Sequence, residues 1–491
     1  MIVLVQPRSA KWKHRLPISL LSLGSLLEDR YPYQIVDGNF EPDLEAKLVR
    51  TIRESGARYL GVTVMPGPQL LQAMPVTRNL KKMFPRLQII WGGYFPSLHT
   101  NAVLQSGFVD FVIRGQGELS FVELIDALEN GADVGGIPGL SFRRGSEIIH
   151  NSKRPVTDPN TLPPVPYHRV DVKRYIGKTY LGSRTMSYHS SFGCPFLCGF
   201  CAVAAIYKGR WTGKTARDVV AEVLMFKAKY GVNAVEFIDN NFFVAEKRTL
   251  EIASGLMGHG IGWWGEARPD TLMLYSDATW RTMRESGCKM IFFGAESSSE
   301  NVLELMDKGG TQTPDTVLEI AARAKAFDII PEFSFVLGTP SDDVDGQIDR
   351  DIRYIRRIKE INPKSEIVIY VFSPVFFDDA DLLQKAREHG FTFPEQLEEW
   401  LDPKWTAFDL RKYPLTPWLK PRHFEKIFNF ERVLNARFPT VSDIKLKTWQ
   451  TGILKTLGGW RYKAGFYKAP WEIRLVANRL FRYRQPEIEG F

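Results

Sequence analysis

The chain has 491 residues, is 44% hydrophobic and 24% charged, and carries a net charge of +8 with four cysteines. That length is too great for one core and predicts two to four domains. Four cysteines, three of them between positions 194 and 201, exclude a disulfide framework and suit a reducing, cytoplasmic setting. In chain order, short apolar runs alternate with helical patterns over the first part. Strands are expected at Ile2–Val5, Tyr33–Val36, Arg58–Val64, Leu87–Trp91 and Phe108–Ile113. Helices are expected near 19–30, 43–55, 69–83, 97–106 and 119–128. This alternation predicts parallel βαβ units in an open doubly wound, flavodoxin-like sheet, whose ligands bind beyond the C-terminal strand ends. "GVTVMPG" and "WGGYFP" stand at two of those ends.

A Pro-rich stretch follows and reads as a small hairpin with a linker, giving expected domains at 1–135, 136–183, 184–390 and 391–491. From Arg184 a second alternating series begins, with strands TMSYHSS, AVEFIDN, IGWWGEA, KMIFFGAES, PEFSFVLG and EIVIYVFSP. Its six β/α units suit a partial (β/α)6 barrel rather than a closed eight-fold one. Beyond Phe391 the pattern turns helical, aromatic and basic. From Leu401 to Phe491 there are 18 Lys or Arg against 8 Asp or Glu, so this segment holds the whole positive excess. No window reaches the roughly 18–20 apolar residues of a membrane span. The short apolar start followed by basic residues argues against a signal peptide.

"CPFLCGFC" sets Cys194, Cys198 and Cys201 at C-x3-C-x2-C on the loop after the first barrel strand, the face where β/α barrels place chemistry. Three thiolates fall short of the four ligands of a structural zinc site. They can hold a [4Fe–4S] cluster with one iron open, and an open iron is a working position. A zinc or electron-transfer site would instead recruit Cys288, which in "ESGCKMIFF" reads as a small core residue.

The motif, with Phe200 before the third cysteine, resembles the signature of radical S-adenosylmethionine (SAM) enzymes. The doubly wound domain in front resembles the cobalamin-binding module of one subgroup, which includes anaerobic magnesium-protoporphyrin cyclases and cobalamin-dependent radical methyltransferases. The resemblance implies SAM bound at the open iron, one-electron cleavage to a 5′-deoxyadenosyl radical, and hydrogen abstraction from an unactivated carbon. It also implies an electron donor such as flavodoxin or ferredoxin. It places Asp239 and Asn240 of "FIDNN" near the SAM amino group and Glu296 of "GAES" at the ribose. It sets Arg268 of "GEARPD" against the SAM carboxylate, with Glu266 beside it, and "LGTP" beside the adenine.

In the front domain the D-x-H-x-x-G cobalt-ligand motif is absent, since Asn39 follows Asp37 and Gly38. Gly92 and Gly93 would let backbone approach the cobalamin tail, and Thr63 could bond it. His14 and His99 lie near the same strand ends and read as surface or cap residues. "IRGQGELSF" lacks the pattern of a phosphate loop.

Lys445 to Arg484 interleave ten Lys or Arg with aromatic residues. The stretch reads as a lid over the barrel mouth, with possible contact to an anionic membrane surface; no nucleic-acid module is present. The function expected is C-methylation of a small, lipophilic substrate. Cyclisation, ring contraction or oxidation with cobalamin in another role is the alternative, and a non-catalytic iron–sulfur or zinc protein a third reading.

Overall fold

The computed structural model describes residues 1–9, 14–308, 311–406, 415–441 and 446–483. Lys445 and Arg484, the two ends of the basic stretch, lie outside the described residues.

The apolar run at the chain start forms β1 (Ile2–Gln6), buried at every position. Such a run suits a central parallel strand covered on both faces. It pairs with β2 (Tyr33–Asp37) and β3 (Tyr59–Thr63), followed by β4 (Gln88–Gly92) and β5 (Phe111–Ile113), all parallel. The hairpin β6 (Leu140–Arg144) and β7 (Glu147–His150) continues this sheet antiparallel from β5, in the order β2-β1-β3-β4-β5-β6-β7. Local chemistry sets the helix limits. Asp43 accepts from the Ala46 amide at 3.0 Å to start helix Leu44–Ser55, and Gly56 ends it in the left-handed region. The helix expected near 97–106 is two short ones, Tyr94–Leu98 and Thr100–Gln105, broken at His99.

The second series builds a six-stranded sheet from β8 (Thr185–Tyr188) through β11 (Ala234–Phe237), β12 (Gly262–Ala267), β13 (Cys288–Glu296), β14 (Ile330–Leu337) and β15 (Glu366–Val371). All its pairings are parallel, as a partial barrel requires. A small antiparallel ladder, β9 (Ser191–Gly193) with β10 (Trp211–Gly213), braces the cysteine loop. Alternation of period two divides the strands. Val235, Phe237, Trp263, Ile291, Phe293, Phe333 and Phe335 are buried under the helices. Glu236, Trp264, Glu266, Phe292 and Glu332 take the opposite, half-buried face.

After β15 the chain turns back. Phe377 and Ala380 pack on Ala204, next to the cysteine loop. Phe391, Leu397, Trp400 and Trp405 then join the apolar core of the front sheet. His99 is enclosed there rather than set at the surface: its ring lies 4.9 to 5.3 Å from those of Phe95, Phe376, Phe393 and Trp400. Burial pulls its pKa down to about 4.

The C-terminal helices do not form the expected lid. Helix Thr448–Ala464 packs on helix Pro421–Arg437, which packs on helix Val344–Ile361 outside the barrel. Segment 372–405, not the basic tail, is what lies against the cysteine loop. Among the described residues no helix is long and apolar enough to cross a membrane.

Candidate functional site

The cysteine loop leaves β9 through Gly193, whose φ of +74° is reserved for glycine; a Cβ there would meet the Arg210 carbonyl at 2.1 Å. The Cys194 amide donates to that carbonyl at 3.1 Å and the Gly199 amide to Met306 at 2.9 Å, pinning both ends of the loop. Cys201 begins helix Ala202–Tyr207. Burial pushes the Cys201 thiol up to about 12, against the backbone N–H groups of Ala204 and Val203, which favour its thiolate; the charges of Cys198 and Cys194 push it further. The Cys194 and Cys198 side chains thus lie close enough to Cys201 for their charges to act on it. Burial raises Cys198 as well, opposed by Lys308 and Arg268. Desolvated thiols beside cations suit a bound metal that holds them as thiolates. Among the described residues no three His, Cys, Asp or Glu side chains are gathered to hold a single ion. Cys288 is no fourth ligand. It is fully buried at the far end of β13, where its thiol points to the Met290 carbonyl. A strand of this length puts it about 26 Å from Glu296 at the mouth.

The residues expected around SAM converge on the same mouth, with different partners. Asp239 is fully buried, and one oxygen accepts from the Ser190 amide (3.0 Å), the Ser190 hydroxyl (2.9 Å) and the Ser191 hydroxyl. Its other oxygen has no partner, and the buried Asn241 amide has only the Cys194 thiol beside it. Buried orphan groups are rare and mark a missing ligand or water. Asn240 instead accepts from Tyr94 at 3.4 Å. Phe200 packs in a small apolar cluster with Met306 and Phe372.

Arg268 does not present an open fork. It binds Asp270 through two bonds of 3.0 and 2.7 Å and lies 4.0 Å over the Phe196 ring. Its remaining nitrogen points at the Cys198 sulfur, 3.5 Å away. Glu296 closes β13 at a register shift, with φ +64°, a region a non-glycine residue enters only at a cost of about 1–3 kcal/mol. Its carboxylate accepts from Lys308 at 2.7 Å and from the Ser334 hydroxyl at 3.3 Å.

Lys308 escaped the sequence reading. Only 4% exposed, it donates to Glu296 and, at 2.7 Å, to the Gly294 carbonyl. Gln312 donates to that carbonyl at 2.9 Å and keeps an orphan buried oxygen. Thr311 ties the same loop to Asp270 at 2.5 Å. The one available signal was the sequence "DKGGTQ", whose paired glycines follow a lone lysine.

The front sheet presents its strand ends to this mouth. Thr63 ends β3, Gly92 ends β4 and Gly93 follows it. A Cβ on Gly92 would meet nothing nearer than the Ile113 carbonyl at 3.8 Å, so space is open there for a bulky group. Gly93 has φ +100°, and a Cβ would press on Val64 backbone at 2.9 Å, so its need is local. Tyr94 then crosses to Asn240, and its helix packs on Ala202–Tyr207. Glu266 lines the mouth, its carboxyl pushed up to about 7 by burial and held back by Arg15.

Comparison with known proteins agrees with this geometry. Residues 16–125 match the B12 binding domain and residues 188–330 the Radical SAM superfamily. An uncharacterized methyltransferase of Pyrococcus horikoshii is 27% identical over 349 residues, 70% of this chain and 73% of the relative. The anaerobic magnesium-protoporphyrin IX monomethyl ester cyclase of Synechocystis is 26% identical over 365 residues, 72% of this chain and 70% of the relative. In fold, the chain resembles the radical SAM methyltransferase TsrM of Kitasatospora setae, with a TM-score of 0.68, 16% identity, and 98% and 99% of the two chains covered. The cobalamin-dependent radical enzyme OxsB gives 0.71 at 14% identity, with 98% and 75% covered. With three thiols and orphan polar groups at a partial-barrel mouth, and the strand end at Gly92 facing them, the chain carries a B12 binding domain and a Radical SAM domain, and its cofactors are a [4Fe–4S] cluster, SAM and cobalamin.

Proposed function

We propose that this enzyme methylates an unactivated carbon of a small molecule, and that Cys194, Cys198 and Cys201 hold its cluster. The observation that carries the reading is the meeting of two strand-end faces through Tyr94 and Asn240, one with thiols and one with the open Gly92. When bound, the cluster and SAM supply hydrogen abstraction and the corrinoid supplies a methyl carrier. The chain's own residues bind and orient. Asp239, through its free oxygen, and the Asn241 amide take the polar end of SAM. Glu296 takes the ribose, with Lys308 holding its charge, and Phe200 shapes the floor. Arg268 serves the Cys198 thiolate rather than the SAM carboxylate, because Asp270 already fills its fork. Thr63, Gly92 and Gly93 face the corrinoid.

The lipophilic substrate expected from the sequence loses its main support, since the aromatic tail does not cover the mouth. Glu266 and Tyr94 at that mouth favour a substrate with a polar anchor. A cytoplasmic enzyme served by a flavodoxin or ferredoxin completes the assignment. The similarity to the cyclase keeps a second reading, oxidative cyclisation without methyl transfer.

Anaerobic reconstitution with iron, sulfide and methyl-labelled SAM tests both. A four-iron cluster, SAM cleavage and label in the product support methylation. Cleavage with no label in any product selects the second reading, and bound zinc without cleavage overturns both.

A further inference from the structure

Helix Thr448–Ala464 has two apolar faces, and only one is used by the protein. Leu454, Gly458 and Tyr462 are buried against helix Pro421–Arg437, where a Cβ on Gly458 would meet the Arg437 amide at 2.7 Å. Trp449, Ile453 and Trp460 stand at i, i+4 and i+11, a single stripe about 16 Å long on the opposite side. Trp449 is 58% exposed and Trp460 51%. The stripe widens at its ends: Phe466 stacks on Trp460 with ring centres 6.1 Å apart, and Phe481 meets Trp449 at 5.3 Å. On the following helix Trp471 is 68% exposed.

The segment that carries this stripe is strongly basic. Residues 446–483 contain eight Lys or Arg and one acid, Glu472. Glu472 is bound to the buried Arg461. Lys455, Lys463, Lys468, Arg474 and Arg479 are exposed. Contiguous exposed apolar surface marks an interaction site. Tryptophans beside lysines, with the segment's one carboxylate already paired, match a lipid headgroup layer, where the rings sit at the interface and the cations meet phosphates.

We infer that this face docks the enzyme on an anionic membrane surface. The docking is peripheral, since no described helix is of spanning type. It would hold the barrel against the bilayer by its outer helix layer, leaving the mouth free.

Co-sedimentation with vesicles tests this on the full chain. Phosphatidylcholine vesicles are compared with vesicles holding phosphatidylglycerol. The variants are Trp449→Ser/Trp460→Ser/Trp471→Ser and Lys455→Glu/Lys463→Glu. All five positions are exposed, so thermal melts should match the wild type; truncation is avoided because it would strip the buried Leu454 and Tyr462 from their partner helix. Wild type should bind anionic vesicles at least tenfold more tightly than neutral ones. Each variant should lose at least tenfold, and salt should weaken binding, because screening acts over about 10 Å at 0.1 M. Absence of wild-type binding to anionic vesicles, or binding unchanged in the tryptophan variant, overturns the inference. Self-association lost in that variant, with no vesicle binding, would give the face to a second copy.

Discussion

Replacing Lys308 by Met removes one ammonium from a site where nothing else can fully replace it. The Lys308 and Glu296 side chains are 4% and 6% exposed, and their bond is 2.7 Å. After the change Glu296 retains one neutral contact, the Ser334 hydroxyl at 3.3 Å, and the Gly294 carbonyl keeps Gln312. Breaking a buried pair by removing one partner costs about 3–5 kcal/mol, because the remaining charge stays buried. Methionine fills the stem volume, so little cavity cost is added, and a loss of about 3 kcal/mol in the barrel transition is expected. The double variant Lys308→Met/Glu296→Gln removes the stranded charge and should recover about 2 kcal/mol of that loss. Urea unfolding of the four-member cycle, followed by tryptophan fluorescence, measures the coupling directly. A single variant within 1 kcal/mol of wild type, or a double variant no better than the single, would refute the argument that this pair is a closed, low-dielectric unit.

Cys198→Ala should abolish the cluster absorbance and SAM cleavage, whereas Cys288→Ala should keep both and lose only packing; iron analysis with absorbance spectra checks this. Gly92→Trp should keep the fold and weaken corrinoid binding at least tenfold in a spectrophotometric titration, about 1.4 kcal/mol. Gly93→Ala should lower the melting temperature of the front domain even without corrinoid, because its backbone is left-handed and crowded. His99 stays neutral in the fold down to about 4, while in the unfolded chain it protonates near 6.5. Its contribution is therefore whole above pH 6.5 and is lost as pH falls toward 4, by up to about 3 kcal/mol. The stability gap between wild type and His99→Phe should shift by that amount over the window, and a constant gap would refute the assignment.

The strands were legible because their signal is local. Apolar runs of the right length, separated by helical patterns, place all eleven parallel strands, with ends that differ by up to three residues. The thiol triad was legible because its spacing is compact. What sequence reading missed depends on contacts between distant segments. Arg268 reads from the sequence as a carboxylate ligand, and only the fold shows that Asp270 occupies two of its nitrogens. Lys308 has no periodic context, and only the return of its loop to Gly294 makes it internal. The tail's composition was plain, but composition does not say which side of the barrel a helix pair will choose. His99 shows the same limit, since three of the four rings around it come from beyond position 375.

That last packing bears on how the polypeptide is made. The front sheet is synthesised first, yet Phe391, Leu397, Trp400 and Trp405 complete its core. A nascent chain emerging from the ribosome would carry a greasy, unfinished face through translation of the whole barrel. Domains usually fold in order from the N-terminus. Here the front sheet would complete its core only after residues 391–405 have emerged, and a holding chaperone would shield it until then. A fragment ending near residue 135 would be a poor corrinoid binder for want of part of its own core rather than of any ligand.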